Sequence, residues 1–238
     1  MQTILERSPE RVLSLQLDRA RKDERLNRIR ALAKQHGLAV EDVDNKRLDD
    51  RLDGEAAHQG AIANIRPPVT VGDKELLTAL DNLDHAPFIL VLDGVQDPHN
   101  LGACLRTADA VGVDAVIVPR DNACGLTATV SKVASGAAEV MPFYQITNLA
   151  RILRQLQERN IWCIGLAGEA ETSLYKTRLD GPLALVMGAE GKGLRRLTRD
   201  TCDALASLPM LGTVESLNVS VATGIALYEA LRQRQLKL

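Results

Sequence analysis

Five near-continuous apolar runs, at residues 88–92, 115–118, 140–144, 161–166 and 183–187, constrain this chain more than any other feature. They lack the one-in-two alternation of a strand with a wet face. Both faces must therefore be covered, as in parallel strands with helices packed on either side. Helices are expected to start between the runs, near Asn100, Thr127, Asn148 and Gly193. A last helix is predicted from Ser216 to about Gln233, with Val219, Ala222, Thr223, Ala226, Leu227 and Ala230 on one face. The predicted fold class is α/β, with a parallel-sheet domain over residues 79–238. No run approaches the ~20 residues that cross a bilayer, so no membrane partner is expected.

The first third of the chain reads differently. Leu13, Leu15 and Leu17 alternate with polar residues as in a half-buried strand, and Leu26, Ile29, Leu32 and Ala33 follow at helical spacing up to Gly37. Leu38 and Val40 suggest a second strand, and residues 61–65 a third. Two adjacent prolines and a glycine between Arg66 and Asp73, without apolar period, mark a linker. The expected domains are residues 1–65, a linker at 66–78, and residues 79–238. Arg19, Arg21, Lys22, Arg25, Arg28 and Arg30 crowd into a dozen residues, read as a basic helix. Such cations make the sequence-independent phosphate contacts of nucleic-acid binding. Interleaved Asp18, Asp23 and Glu24 equally suit a solvated helix face laced with ion pairs.

Several chemistries are disfavoured. The opening residues mix Glu and Arg with no apolar core of a secretory signal, so a cytoplasmic location is expected. Cys104, Cys124, Cys163 and Cys202 form no CxxC pair, which argues against zinc and a disulfide framework and for small buried side chains. No metal is expected. The order of glycines and lysine in 188–193 is not that of a phosphate-binding GxxxxGK[ST], and Arg196 occupies the third glycine position of a dinucleotide GxGxxG. Neither a GxSxG elbow nor an HExxH is present.

Three polar, glycine-containing segments remain, each at the end of an apolar run: Asn100-Leu-Gly-Ala-Cys-Leu-Arg106, Met187-Gly-Ala-Glu-Gly-Lys-Gly193, and Leu208-Pro-Met210 with Ser216-Leu-Asn-Val-Ser220. The carboxyl edge of an open α/β sheet is where ligands collect. Glu190 sits among glycines that allow close backbone approach, although a purely structural turn reads as well. Asn100, Ser216 and Asn218 could be helix caps. Arg106, two turns into its helix and flanked by Leu101, Leu105, Ala108 and Ala110, is expected to be partly enclosed.

Taken together, these segments resemble, in order and type, the three motifs of the SpoU (TrmH) family of RNA ribose 2′-O-methyltransferases. The likeness extends through Leu92-Asp-Gly-Val-Gln-Asp-Pro-His-Asn100, Thr147-Asn-Leu-Ala-Arg151 and His58-Gln-Gly60, and covers nearly the whole chain. It is greatest to members that methylate a guanosine of 23S rRNA.

The resemblance implies a catalytic domain with a C-terminal trefoil knot, preceded by a small RNA-binding α/β domain similar to ribosomal protein L30. It implies S-adenosylmethionine as cofactor, held by Met187, Gly188, Leu208, Met210, Leu217 and Asn218, largely through backbone groups. Arg106 would handle the ribose hydroxyl, with Asn100, Glu190, Ser216 and Asn218 as the polar groups around it. RNA contacts are expected from Arg19, Arg21, Lys22, Arg25 and His58, His58 being equally suited to a local hydrogen bond. The expected partners are 23S rRNA, or a large-subunit assembly intermediate, and a second copy of the chain in a homodimer. Alternatives are a tRNA ribose methyltransferase of the same family and an inactive rRNA-binding factor. Relatives usually carry a further strand and a Gly-x-His-Ala-Val-like segment ahead of residues 1–5, so the N-terminal domain is expected to lack that edge strand.

Overall fold

The computed structural model describes residues 1–52, 58–66 and 71–235. The chain divides into two compact units, residues 1–69 and 70–238, and the predicted linker falls partly outside the described residues, at 67–70.

In the first unit, β1 (Val12–Asp18) lies between parallel β2 (Val40–Val43) and antiparallel β3 (Ala61–Ile65). Helices α1 (Gln2–Arg7) and α2 (Glu24–Gln35) pack Ile4, Leu5, Leu26, Ile29 and Ala33 against Val12, Leu15 and Leu17 of β1. The alternation read into Leu13, Leu15 and Leu17 fails at its first member. The β1–β3 register shifts between Val12 and Ser14, so Val12 turns inward and Leu13 is 55% exposed. An irregularity of this kind reverses the side-chain alternation locally. The predicted basic helix also splits. Asp23 accepts a hydrogen bond from the Leu26 amide and starts α2 there, leaving Arg19 to Lys22 in the loop that leaves β1. A helix not foreseen, α3 (Asn45–Arg51), follows β2.

The second unit is built on a six-stranded, wholly parallel sheet, as the apolar runs predict. Its strands are β4 (Phe88–Asp93), β5 (Ala115–Pro119), β6 (Phe143–Ile146), β7 (Trp162–Leu166), β8 (Leu183–Gly188) and β9 (Ala204–Ala206). Their order is β6-β5-β4-β8-β7-β9. Central β4 is buried along its whole length. Its even residues, Phe88, Leu90 and Leu92, meet α5 (Pro98–Ala110), α6 (Ala128–Val133) and α9 (Val219–Gln235). Its odd residues Ile89 and Val91 meet α4 (Asp73–Asp81) and α7 (Leu149–Gln157).

Boundaries shift where caps and prolines intervene. The run at 140–144 is a strand only from Phe143, because a short 3₁₀ turn occupies Ala137–Glu139 and Pro142 follows. Helix α4 begins inside the predicted linker, where the Gly72 amide donates to Glu75 Oε2 at 3.1 Å. Helix α8 (Arg196–Thr201) starts after Gly193, and β9 carried too short an apolar signal to be read.

The strand order decides where a ligand can sit. From β4 the chain steps outward through β5 to β6, then crosses to the other side and builds β7, β8 and β9. Adjacent β4 and β8 therefore flank the reversal, and the crevice at their carboxyl ends is the expected binding position.

Candidate active site

Both segments leaving that crevice carry motif residues. After β4, the Asp97 side chain accepts from the His99 amide and caps α5, with Pro98 in its first turn. Asn100 is thus not the cap. It is the third residue of α5, 6% exposed, with its amide free to reach across the crevice. After β8 the chain makes a tight turn: the Ala189 amide donates to Gly193 O at 3.0 Å and the Gly193 amide to Ala189 O at 2.9 Å. Gly191 (φ +71°) and Gly193 (φ +64°) adopt the left-handed conformation the turn needs. Glu190 is presented near its tip.

A third segment completes the arrangement. Asn218 stands just before α9, and its Oδ1 accepts from the Ser220 amide at 2.9 Å, so the capping reading of this residue holds. Its Nδ2 donates to Asn100 Oδ1 at 2.9 Å and to Glu190 Oε1 at 2.8 Å. Asn100 Nδ2 donates to Glu190 Oε2 at 3.1 Å. Each oxygen of Glu190 thus receives one amide N–H, and lone pairs remain for an incoming hydroxyl.

Beside this cluster opens a cavity of about 440 Å³, within the usual size range of small-molecule sites. Met187, Gly188, Glu190, Leu208, Met210, Ser216 and Leu217 all line it, so most of the residues predicted for the site converge. Asn100 and Asn218 join through Glu190 rather than through the wall. The sequence profile of the SpoU rRNA Methylase family matches residues 87–228, and that of RNA 2′-O ribose methyltransferase substrate binding matches residues 2–70.

The chain belongs to the SpoU family.

Among its relatives, the 23S rRNA (guanosine-2′-O-)-methyltransferase RlmB of Shewanella oneidensis is 53% identical over 99% of this chain and 95% of that protein. RlmB of Escherichia coli K12 is 53% identical over 98% and 96%. A crystal structure of an RNA 2′-O ribose methyltransferase superposes with a TM-score of 0.78 at 26% identity, covering 99% of this chain and 87% of that one. The SpoU methyltransferase AviRb of Streptomyces viridochromogenes, solved with AdoMet, shares the fold with a TM-score of 0.80 at 22% identity, covering 98% of this chain and 87% of that one.

Not every residue expected of a SpoU site joins the cluster. Arg106 is exposed rather than partly enclosed, and its Nη1 donates to Ser135 Oγ at 3.4 Å. Six residues beyond Asn100, it lies about 9 Å along α5 and about 240° around it. It shares the face of Gly102, which packs on α6. In the N-terminal unit, Arg19 donates to Asp42 O, Arg21 pairs with Asp23, and Arg25 donates to Gln59, while Lys22 is exposed. His58 makes local hydrogen bonds: Nδ1 accepts from the Gly60 amide at 2.9 Å, and Nε2 lies 3.0 Å from Asp49 Oδ1.

Two residues at the crevice were missed. Asp93 ends β4, and its buried carboxylate accepts from the Arg195 amide at 3.0 Å and from Arg195 Nε at 2.5 Å. The available signal was an acid closing an apolar run.

Proposed function

We infer that this SpoU chain transfers a methyl group from S-adenosylmethionine to the ribose 2′-OH of a guanosine in 23S rRNA. The observation that carries the reading is the union of Asn100, Glu190 and Asn218 beside the cavity at the β4/β8 switch. The cavity chemistry fits the cofactor: Leu166, Leu208, Leu217 and Ala222 offer apolar surface for a purine, and Gly168, Gly188 and Gly193 bring backbone groups within reach of its polar edges. When bound, the cofactor supplies an electrophilic methyl carbon on a sulfonium.

The chain's own part is positioning and proton handling. Reacting atoms must be held about 3–3.5 Å apart. Glu190, its two oxygens fixed by Asn100 and Asn218, is oriented to accept a hydrogen bond from the ribose hydroxyl. Ser216 at the cavity wall adds a further polar group. A guanidinium has a pKa above ~12 and is a poor base. Arg106 therefore acts by charge on the developing alkoxide, and Glu190 or a substrate phosphate takes the proton.

Because Arg106 stands apart from its own chain's cluster, the reading includes a homodimer that completes the site. Val221 and Tyr228, 51% and 53% exposed and two turns apart on α9, supply an apolar face for it. The same reading covers the trefoil knot, the RNA-binding role of residues 1–65 with a linker at 66–78, the catalytic role of residues 79–238, and action in the cytoplasm on an assembling large subunit.

Labelled S-adenosylmethionine incubated with undermodified 23S rRNA and with tRNA, followed by mapping of the modified nucleotide, tests it. Label at one guanosine ribose of 23S rRNA is expected, and label in tRNA alone overturns the substrate assignment. Arg106→Ala should abolish transfer while cofactor binding persists; near-normal turnover would remove Arg106 from the mechanism.

A further inference from the structure

We propose that Asp93 and Arg195 form a clamp that holds Glu190 in register with Asn100, making Asp93 a positioning residue for methyl transfer. The inference rests on the functional reading above. Both ends of the segment that carries Glu190 are referred to one residue of β4. Gly188, where the segment begins, pairs with Asp93 in the sheet, and Arg195, where it ends, donates to the Asp93 carboxylate from its backbone amide and from its side chain.

The turn does not need this clamp to close. The reciprocal Ala189–Gly193 hydrogen bonds already fold it on itself, and Gly188 lies against the Gly193 backbone. The β4–β8 ladder fixes where the turn starts; what the turn alone lacks is a tether for its far end, relative to β4 and to α5, which leaves β4 a few residues later with Asn100 in its first turn. Asp93 supplies that tether. Its side chain has no solvent exposure, whereas that of Arg195 is 48% exposed. A carboxylate buried to that degree is costly unless paired and hydrogen-bonded. The Arg195 backbone amide and guanidinium meet that need together, so displacing the turn would strand a buried charge. Asp93 does not line the cavity. Its effect on the chemistry passes through Glu190.

The test compares Asp93→Asn and Arg195→Ala in the otherwise unaltered chain and in a Glu190→Ala background, with kcat, KM for 23S rRNA and amide hydrogen exchange as readouts. A misplacement near 1 Å costs on the order of 10²-fold in rate. The expected result is a fall in kcat of roughly 10- to 100-fold, with KM changed about twofold or less. Combining Asp93→Asn with Arg195→Ala should cost less than the sum of the two, because both weaken one link, Arg195→Ala leaving only its amide bond in place. In the Glu190→Ala background Asp93→Asn should lower kcat no further, since nothing is left to position. An equal fall in both backgrounds means a merely structural role and overturns the proposal, as does unchanged kcat. If Asp93→Asn does not fold, Arg195→Ala carries the same comparison, and Arg195→Lys should recover only part of the rate because it lacks the fork. Exchange at the Arg195 amide, which donates to the Asp93 carboxylate, separates this inference from the reading beneath it. An unaltered chain that transfers no methyl group refutes the reading. Unaltered exchange in Asp93→Asn refutes the clamp whatever the substrate.

Discussion

Gly188→Ala tests the idea that the cavity wall depends on a backbone-to-backbone contact no side chain can enter. A Cβ at 188 would lie 2.1 Å from Gly193 C, 2.3 Å from Leu194 N and 2.4 Å from Gly193 O, all main-chain atoms. Ordinary contact begins near 3.4 Å, so the turn must open by about 1 Å or more. Opening sacrifices the two Ala189–Gly193 hydrogen bonds, each worth about 1 kcal/mol net, and leaves residual overpacking of about 1 kcal/mol. The combined cost of about 2–3 kcal/mol corresponds to a fall in Tm of roughly 5–10 °C for a unit of this size. Because the same turn forms the wall, affinity for S-adenosylhomocysteine should drop by at least about tenfold, equivalent to about 1.4 kcal/mol. Differential scanning calorimetry and isothermal titration measure the two effects. Gly181→Ala, with nothing within 4 Å of its added Cβ and no positive φ, is the matched control. A Gly188→Ala protein that melts within about 1 °C of that control and binds the ligand equally well would refute the argument.

Three further outcomes follow from contacts elsewhere. Gly102→Ala sets a Cβ 2.7 Å from Val133 Cβ and 3.0 Å from Val130 O, and should cost about 1–3 kcal/mol by forcing α5 from α6; adding Val133→Ala should recover part of it in urea unfolding. His85 is bonded to Asp114 at 2.8 Å and to Asp84 at 3.2 Å, and these partners, Asp114 foremost, raise its pKa above 6.5. Its contribution is therefore complete below pH 6.5 and is lost as pH rises through the raised folded-state value; at 53% side-chain exposure it amounts to under about 1 kcal/mol, and His85→Gln should remove this part of the pH dependence of Tm. Burial raises the Cys104 thiol to about 11 and the Cys202 thiol to about 12, and pushes Cys163 upward as well. Thiol-specific reagents at neutral pH should modify these slowly in the native protein and all four cysteines readily in guanidinium; rapid native labelling of Cys104 or Cys163 would contradict the burial.

The parallel sheet was legible because its strands are buried on both faces and so read as unbroken apolar runs. Helix starts at Thr127 and Asn148 were legible because a side-chain cap acts on the next few amides and leaves a local trace. Where the determinant was longer in range, reading failed. The β1–β3 register shift turned Leu13 outward, and short β9 depends on its pairing with β7.

The candidate site shows the same division. The sequence marked out Asn100, Glu190 and Asn218 through their resemblance to the SpoU motifs, where capping and turn propensity alone left each open to a structural role. Tertiary structure decided that Glu190 is held by two amides, from residues 90 positions earlier and 28 later, and that Asn218 reaches Asn100 across 118 residues. It also set Arg106 on another face of α5 and tied the Glu190 turn to Asp93. Periodicity and capping act over a few residues. The strand order that makes β4 and β8 neighbours is chosen by the packing of the whole sheet, and only that order brings their carboxyl ends together.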